Sequence, residues 1–344
     1  MQDDKQQSVL RWVLANYSSQ YHPTQCVPIN QAGFSGARVW KATTTAGEFA
    51  VRQWPAEGLH SDRLLGLHQL LHHMRDQNFA LIAPPVTAGS GTTLVEAINH
   101  YWQLEPWMPG AANYQTQPSE AKLSAALRAL AAWHRAAATF RPSENHRQWF
   151  ASHDSAASPG IGERLRLVFK WNSQRLDMAA RSVEGHTWPE FCDVALNLIS
   201  AFKSIAPRVA DELRMAASLR FRLQPCLRDV WHDHILFVGD EVTGIIDPSA
   251  CRSETVAGDI ARLVGSFVGD DRRGWETALT AYQSVCRLSI DERAAVELFD
   301  RSGVLLSGMT WVQWVAMEGR PVDDRERVLA RMTTILSRLQ NMGG

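Results

Sequence analysis

Apolar positions at Val9, Leu10, Val13 and Leu14 recur with helical spacing and predict an amphipathic helix over residues 4–20. The period then changes. Short alternating runs over Arg38 to Thr43 and Glu48 to Trp54, split by Thr44-Thr45-Ala46-Gly47, predict two antiparallel strands and their turn. Residues 61–77 return to helical spacing, with Ser61 as the expected N-cap. Strand-like runs follow at Thr92 to Ala97 and His100 to Pro106, and Pro109-Gly110 punctuates the chain. Helical patterns then dominate: 119–137, 160–181, 188–204, 206–216, 256–268, 273–287, 291–317 and 323–341. One strand excursion interrupts them, ILFVGDEVTGIID, with Gly239-Asp240 as its turn.

The pattern therefore predicts a small strand-rich lobe over 1–107 and a larger helical lobe over 108–344 that embeds a hairpin at 227–250. A cleft between two such lobes is where a ligand is expected. With 344 residues, 45% of them hydrophobic, the chain is long enough to bury a sizeable core in each part.

Charge narrows the partners. A formal net charge of −1 supplies no overall field for nucleic acid or an anionic membrane, so neither is expected. No apolar run is long enough for a transmembrane helix, and MQDDKQQSVLRWVL lacks a signal-type apolar stretch. Five scattered cysteines without a CxxC suggest neither a disulfide framework nor a cysteine zinc site. A reducing, cytoplasmic setting is the expectation.

The chemistry concentrates in CLRDVWHDHILFVGDEVTGIIDPSA, Cys226 to Ala250. A hairpin brings its open ends together, so Asp229, His234 and Asp247 are expected to be neighbours. Clustered carboxylates need a cation or a proton nearby. Two carboxylates and an imidazole suit a divalent metal with a general base, although Asp also flanks strands simply as a turn residue. His232 and Asp233 read as loop architecture. Arg228 suits pairing with Asp229 or with a substrate anion. In QAGFSGARVWKA, Gly33 and Gly36 flank Ser35, a setting that lets backbone N–H groups approach a phosphate but that also fits a plain turn. Arg52, on the next strand, adds a cation able to pair with phosphate oxygens.

In this order the segments resemble the kinase-like small-molecule phosphotransferase family, which includes aminoglycoside phosphotransferases, choline kinases and homoserine kinases. LRDVWHDH stands where that family has HGDxxxxN, GIIDPSA stands for its second Asp motif, LEPWMPG for its hinge and VAGDIARL for its later YDLA segment. The resemblance covers about residues 27–265. It implies an α+β bilobal protein-kinase-like fold, with a small antiparallel-sheet lobe and a larger helical lobe. It further implies ATP with Mg2+ or Mn2+ and a small-molecule hydroxyl as acceptor; oligomeric state is not indicated. On the matching positions, Asp229 takes the role of catalytic base. Asp247 and His234 take those of metal ligands, and Arg52 and the Gly33–Ser35–Gly36 turn those of phosphate binders. The backbone of Glu105 and Trp107 would meet the adenine, and Asp259 would be structural.

The sequence departs from the family pattern in four places. Leu227 and Arg228 replace the His and Gly of HGD, and His234 replaces the Asn. Asp62 is the only helix acid placed to pair with Arg52, and the Gly turn is sparse. Imidazole is a poor ligand for Mg2+ and a better one for Mn2+ or zinc, so His234 predicts an altered metal preference. Two other readings remain: a nucleotide-binding protein without transfer activity, and a His/Asp metallohydrolase built on WHDH. Acids at Glu184, Glu190, Asp211 and Glu212 leave room for a cationic acceptor.

Overall fold

Helix α1 (Gln2–Leu14) packs Leu10, Val13 and Leu14 on an antiparallel five-stranded sheet, the helical spacing having placed those residues on one face. The computed structural model describes residues 2–29, 37–56 and 60–343. The sheet has the order β1-β2-β3-β5-β4, from β1 (Pro23–Pro28), β2 (Arg38–Thr44), β3 (Gly47–Gln53), β4 (Val95–Ala97) and β5 (His100–Pro106). Alternation along β2 buries Trp40, Ala42 and Thr44, and Trp40 stacks on Trp102 of β5 with ring centroids 5.6 Å apart. Strand β1 has no counterpart in the sequence reading: a proline at each end obscures its run.

Between β3 and β4 lies α2 (Ser61–Asp76). His60, not Ser61, occupies the N-cap position, and no side chain caps that end. The helix buries Leu67, Leu70, Leu71 and Met74 in the larger core and turns His68 toward the sheet.

The larger core is helical. It is formed by α3 (Glu120–Ala137), α4 (Arg147–Phe150), β6 (His153–Ala156), α5 (Pro159–Lys170), α6 (Ser173–Glu184) and α7 (Pro189–Ala217), followed by β7 (Phe221–Cys226). Ser119 caps α3 by accepting from the Lys122 amide at 3.0 Å. The predicted helix 160–181 is two helices broken at Trp171, and the predicted pair 188–204 and 206–216 is one helix running through Pro207. Phe202, Ile205, Val209 and Leu213 keep one buried face across that proline, so packing holds what the lost hydrogen bond weakens.

The predicted hairpin follows as β8 (Ile235–Val238) and β9 (Glu241–Ile245), then β10 (Arg252–Glu254) and helices α8 (Ala257–Val268), α9 (Arg272–Gln283), α10 (Ile290–Val312) and α11 (Arg325–Gly343). Strands β10, β7 and β6 form a second small sheet in that order, so the hairpin is not the single strand feature of this half. Strand β6 pairs with β7 only as far as Leu223, leaving Pro225 laddered on one side alone, to Ser253. The hinge is tied to the hairpin: Ala111 bridges Phe237, and Gly110 has φ +98°. A Cβ on Gly110 would lie 2.7 Å from the Phe237 carbonyl oxygen, so glycine is required there. No described helix is long and apolar enough to cross a membrane.

Candidate active site

The hairpin places its open end as its length demands. Ile235 pairs with Ile245, and the Ile246 amide donates to the His234 carbonyl at 2.9 Å. Asp247 therefore emerges beside His234, and the His234 Nδ1–H donates to the Asp229 carbonyl at 2.8 Å. Asp229, His234 and Asp247 are thus brought together at one end of the hairpin.

Two residues here hold left-handed backbones without being glycine: Arg228 at φ +64° and Asp247 at φ +54°. Such conformations cost energy and persist where surrounding contacts over-determine them. The contact at Arg228 is identifiable. Asp259, fully buried at the start of α8, accepts from the amides of Leu227 at 2.7 Å and Arg228 at 2.6 Å, and from His134 Nε2 at 3.0 Å. His134 is held in turn by the Tyr282 hydroxyl at 2.7 Å. Its carboxylate thus fixes the turn from which Asp229 projects, the structural role expected of it. His134, Cys226 and Asp259 lie close enough to hold a metal, but the Asp259 oxygens are filled by these donors and the Cys226 thiol points to the Glu254 carbonyl.

Asp229 is half-exposed and pairs with Arg262 of α8 at 3.1 Å. Its neighbour Arg228 turns to Glu163 instead. Asp247 Oδ1 is buried with no hydrogen-bond partner and lies 3.7 Å from Arg52 Nη1. From β3, Arg52 thus reaches across to the hairpin.

The acid that pairs with Arg52 is Glu105 at 3.1 Å, not Asp62. In the β3–β5 register Arg52 faces Gln103, which puts Glu105 on the diagonal of the same face. The same-face spacing of Gln103 and Glu105 on β5 was the available signal. A buried chain of bonds runs on from this pair. Gln103 Nε2 donates to Glu105 at 2.6 Å; Gln103 Oε1 accepts from Trp54 Nε1 at 2.8 Å and from His68 Nε2 at 2.9 Å; Thr93 Oγ1 closes on His68 Nδ1 at 2.7 Å. Burial pushes His68 down to about 3, so the ring is neutral. For Arg52, burial opposes the charge, but Glu105 and Asp247 outweigh it and raise the guanidinium above its ordinary value.

The predicted nucleotide contacts divide. The Trp107 amide donates to the Glu48 carbonyl at 3.0 Å and is committed to the sheet, while Lys41 Nζ sits 5.0 Å over its ring. Glu105 contributes its side chain to Arg52. Gly33, Ser35 and Gly36 lie outside the described residues.

The phosphotransferase enzyme family model matches residues 27–299. The chain belongs to that family. No curated protein sequence matches it significantly. Among solved structures, it is similar to an amicoumacin kinase in complex with AMP-PNP and Ca2+, at 13% identity and TM-score 0.68, covering 99% of this chain and 96% of that one. It is similar also to an aminoglycoside phosphotransferase from Alicyclobacillus acidocaldarius at 16% identity, TM-score 0.61 and coverages of 96% and 92%. A microcompartment-associated aminopropanol kinase aligns at 14% identity and TM-score 0.62, with coverages of 96% and 95%. The expected bilobal α+β phosphotransferase fold is the one present.

Phosphotransferases of this kind imply a divalent ion, and the residues fit one in part. The orphaned Asp247 oxygen is a carboxylate donor awaiting a cation. His234 is neutral at neutral pH because burial depresses its pKa, the nearby Asp247 and Asp229 only partly offsetting this. Its Nε2, however, accepts from Trp231 Nε1 at 2.9 Å. The indole must turn aside before that lone pair is available. Arg331 of α11 lies 4.3 Å over the Trp231 ring, and Arg327 pairs with Asp233 at 3.3 Å, so α11 braces this loop. His232 pairs with Asp233 at 2.8 Å, the architectural role expected of both.

Proposed function

We propose that the protein transfers the γ-phosphoryl group of ATP to a hydroxyl of a small molecule. The observation that carries this reading is the Arg52–Asp247 approach at 3.7 Å, which joins a sheet cation to the orphaned hairpin carboxylate beside Asp229. Asp229 orients the acceptor hydroxyl and receives its proton. Arg52, held by Glu105, pairs with phosphate oxygens, and Gly33, Ser35 and Gly36 supply amides to the same group; with the Trp107 amide bonded to Glu48, that amide is not assigned to the adenine. Asp247 and His234 hold Mg2+ or Mn2+, and the ion when bound neutralises charge on the phosphates. The protein's share is positioning and charge compensation. With His234 as a ligand, Mn2+ supports tighter nucleotide binding than Mg2+.

A second reading, nucleotide binding without transfer, is favoured by one feature: both Asp229 and His234 are engaged by neighbours, Arg262 and Trp231. Thermal melting with ATP and Mg2+, then with ATP and Mn2+, tests the common ground, because a ligand of the native state raises the melting temperature. A rise in wild type that Arg52→Gln abolishes supports nucleotide binding; no rise with either metal overturns it. Phosphate transfer to any acceptor then separates the two readings.

A further inference from the structure

Arginines gather beside Asp229, among acids that are mostly engaged by other donors. Arg228 precedes the base, Arg262 touches it, and Arg164 of α5 lies over the Phe299 ring at 4.4 Å. Arg63 reaches in from α2, 7% exposed, donating to the Ser249 carbonyl at 2.5 Å in the loop after Asp247. Arg252 stands opposite Cys226 in the β10–β7 ladder, two residues before Arg228. Arg228 lies within electrostatic reach of both Arg63 and Arg164; burial first, and then repulsion from neighbouring arginines, depresses each of these two, Arg164 to about 10. Few of the nearby carboxylates are free to answer these five cations: Asp259 is filled by two amides and His134, and Asp247 faces Arg52. Asp229 is needed for the reaction. Glu254 is buried and gives its oxygens to neutral donors: the Ser158 hydroxyl and the amides of Gly160 and Thr255. Glu163 alone answers Arg228, from a half-exposed position.

Two donors in this group are unspent. The Nε atoms of Arg63 and Arg164 are buried with no hydrogen-bond partner. A buried guanidinium N–H without an acceptor is costly, and planar forks of this kind match carboxylate and phosphate oxygens. The acids that left room for a cationic acceptor are partly spent elsewhere: Glu212 on Arg301 at 2.9 Å, and Asp211 on Arg214.

We propose that the acceptor is an anion: a hydroxyl compound whose carboxylate or phosphate group is bound by Arg63, Arg164 and Arg228, with its hydroxyl on Asp229. This rests on the phosphotransferase reading above and specifies its acceptor. The same anion draws Arg262 off Asp229 and frees the carboxylate to act. The acceptor oxygen then bonds to the γ-phosphorus as the bond from that phosphorus to the bridging oxygen breaks; the hydroxyl proton passes to Asp229, and ADP leaves.

The test has a binding arm and a turnover arm. Calorimetric titration of methyl phosphate and of acetate into AMP-PNP-loaded protein, at matched ionic strength, shows binding of at least one, and the pair decides between a phosphate and a carboxylate. Binding weakens at least fivefold in Arg228→Gln and by a smaller factor in the exposed Arg252→Gln, which contributes only its charge beside Arg63, and persists in Arg52→Gln, in which AMP-PNP affinity falls. In turnover, hydroxy acids or phosphorylated alcohols exceed matched amino alcohols at least tenfold in kcat/KM. Binding of neither anion, anion binding unchanged in both arginine variants, or highest turnover with an amino alcohol overturns the proposal. Anion binding in a protein that never binds AMP-PNP overturns the phosphotransferase reading and leaves the anion site standing.

Discussion

The two sides of the cleft are built on opposite principles. On the sheet side, Thr93, His68, Gln103, Glu105 and Arg52 form a chain in which each polar group has a partner. On the hairpin side, Asp247 Oδ1, Arg63 Nε and Arg164 Nε are buried and have none. Buried polar groups are normally satisfied, so saturation marks a scaffold and its absence marks a place where something else completes the set. Asp259 shows that the hairpin side is not loosely built: its carboxylate is filled by two amides and a histidine. The three unsatisfied groups are the ones assigned above to the metal and to the acceptor anion.

Breaking the saturated side has the largest effect. Glu105→Ala leaves buried Arg52 without its hydrogen-bonded counter-ion, Asp247 being the more distant one, and lowers stability by about 3 kcal/mol, read by urea denaturation. A loss below about 1 kcal/mol would mean the chain is not a scaffold. His68 gives the same contrast a pH signature. Its folded pKa of about 3 lies below the ordinary value. As pH falls from about 6.5 toward 3, the unfolded chain takes up a proton that the native state refuses, so stability declines by about 1.4 kcal/mol per pH unit. His68→Gln keeps a hydrogen-bonding amide and flattens that slope; an unchanged slope places the acid sensitivity elsewhere.

On the open side the effects move to ligands. Trp231→Phe removes the donor that occupies His234 Nε2 and tightens Mn2+ binding about fivefold, the equivalent of one modest hydrogen bond. Unaltered Mn2+ affinity would remove His234 from the metal site. Arg262→Ala, at a half-exposed pair, changes stability by less than about 1 kcal/mol. A larger loss would make Arg262 part of the scaffold and weaken the contrast between the two sides.

The hairpin site was readable in sequence because its logic is local: strand length and a Gly239-Asp240 turn force Asp229, His234 and Asp247 to one end. Helices with strong spacing, such as α3 and α8, were readable for the same reason. Strands β1, β6, β7 and β10 were not. Two are only three or four residues long, and prolines break the runs of the others. The Glu105 side chain carries no signal in chain order, because its pairing with Arg52 depends on strand register. Of the arginine group only Arg228 was legible, as a residue suited to a substrate anion; Arg63, Arg164 and Arg252 come from three separate elements that only the tertiary fold brings to it. Trp231 gave no signal, since its bond to His234 follows from the local turn geometry.

The most direct test of the account is phosphate transfer by wild type and Asp229→Asn, each checked for AMP-PNP affinity. The account predicts turnover in wild type, a fall of about 10²- to 10⁴-fold in the variant, and equal nucleotide affinity in both. Equal turnover in the two proteins, or an absence of transfer in wild type across anionic, neutral and cationic hydroxyl acceptors, would contradict it.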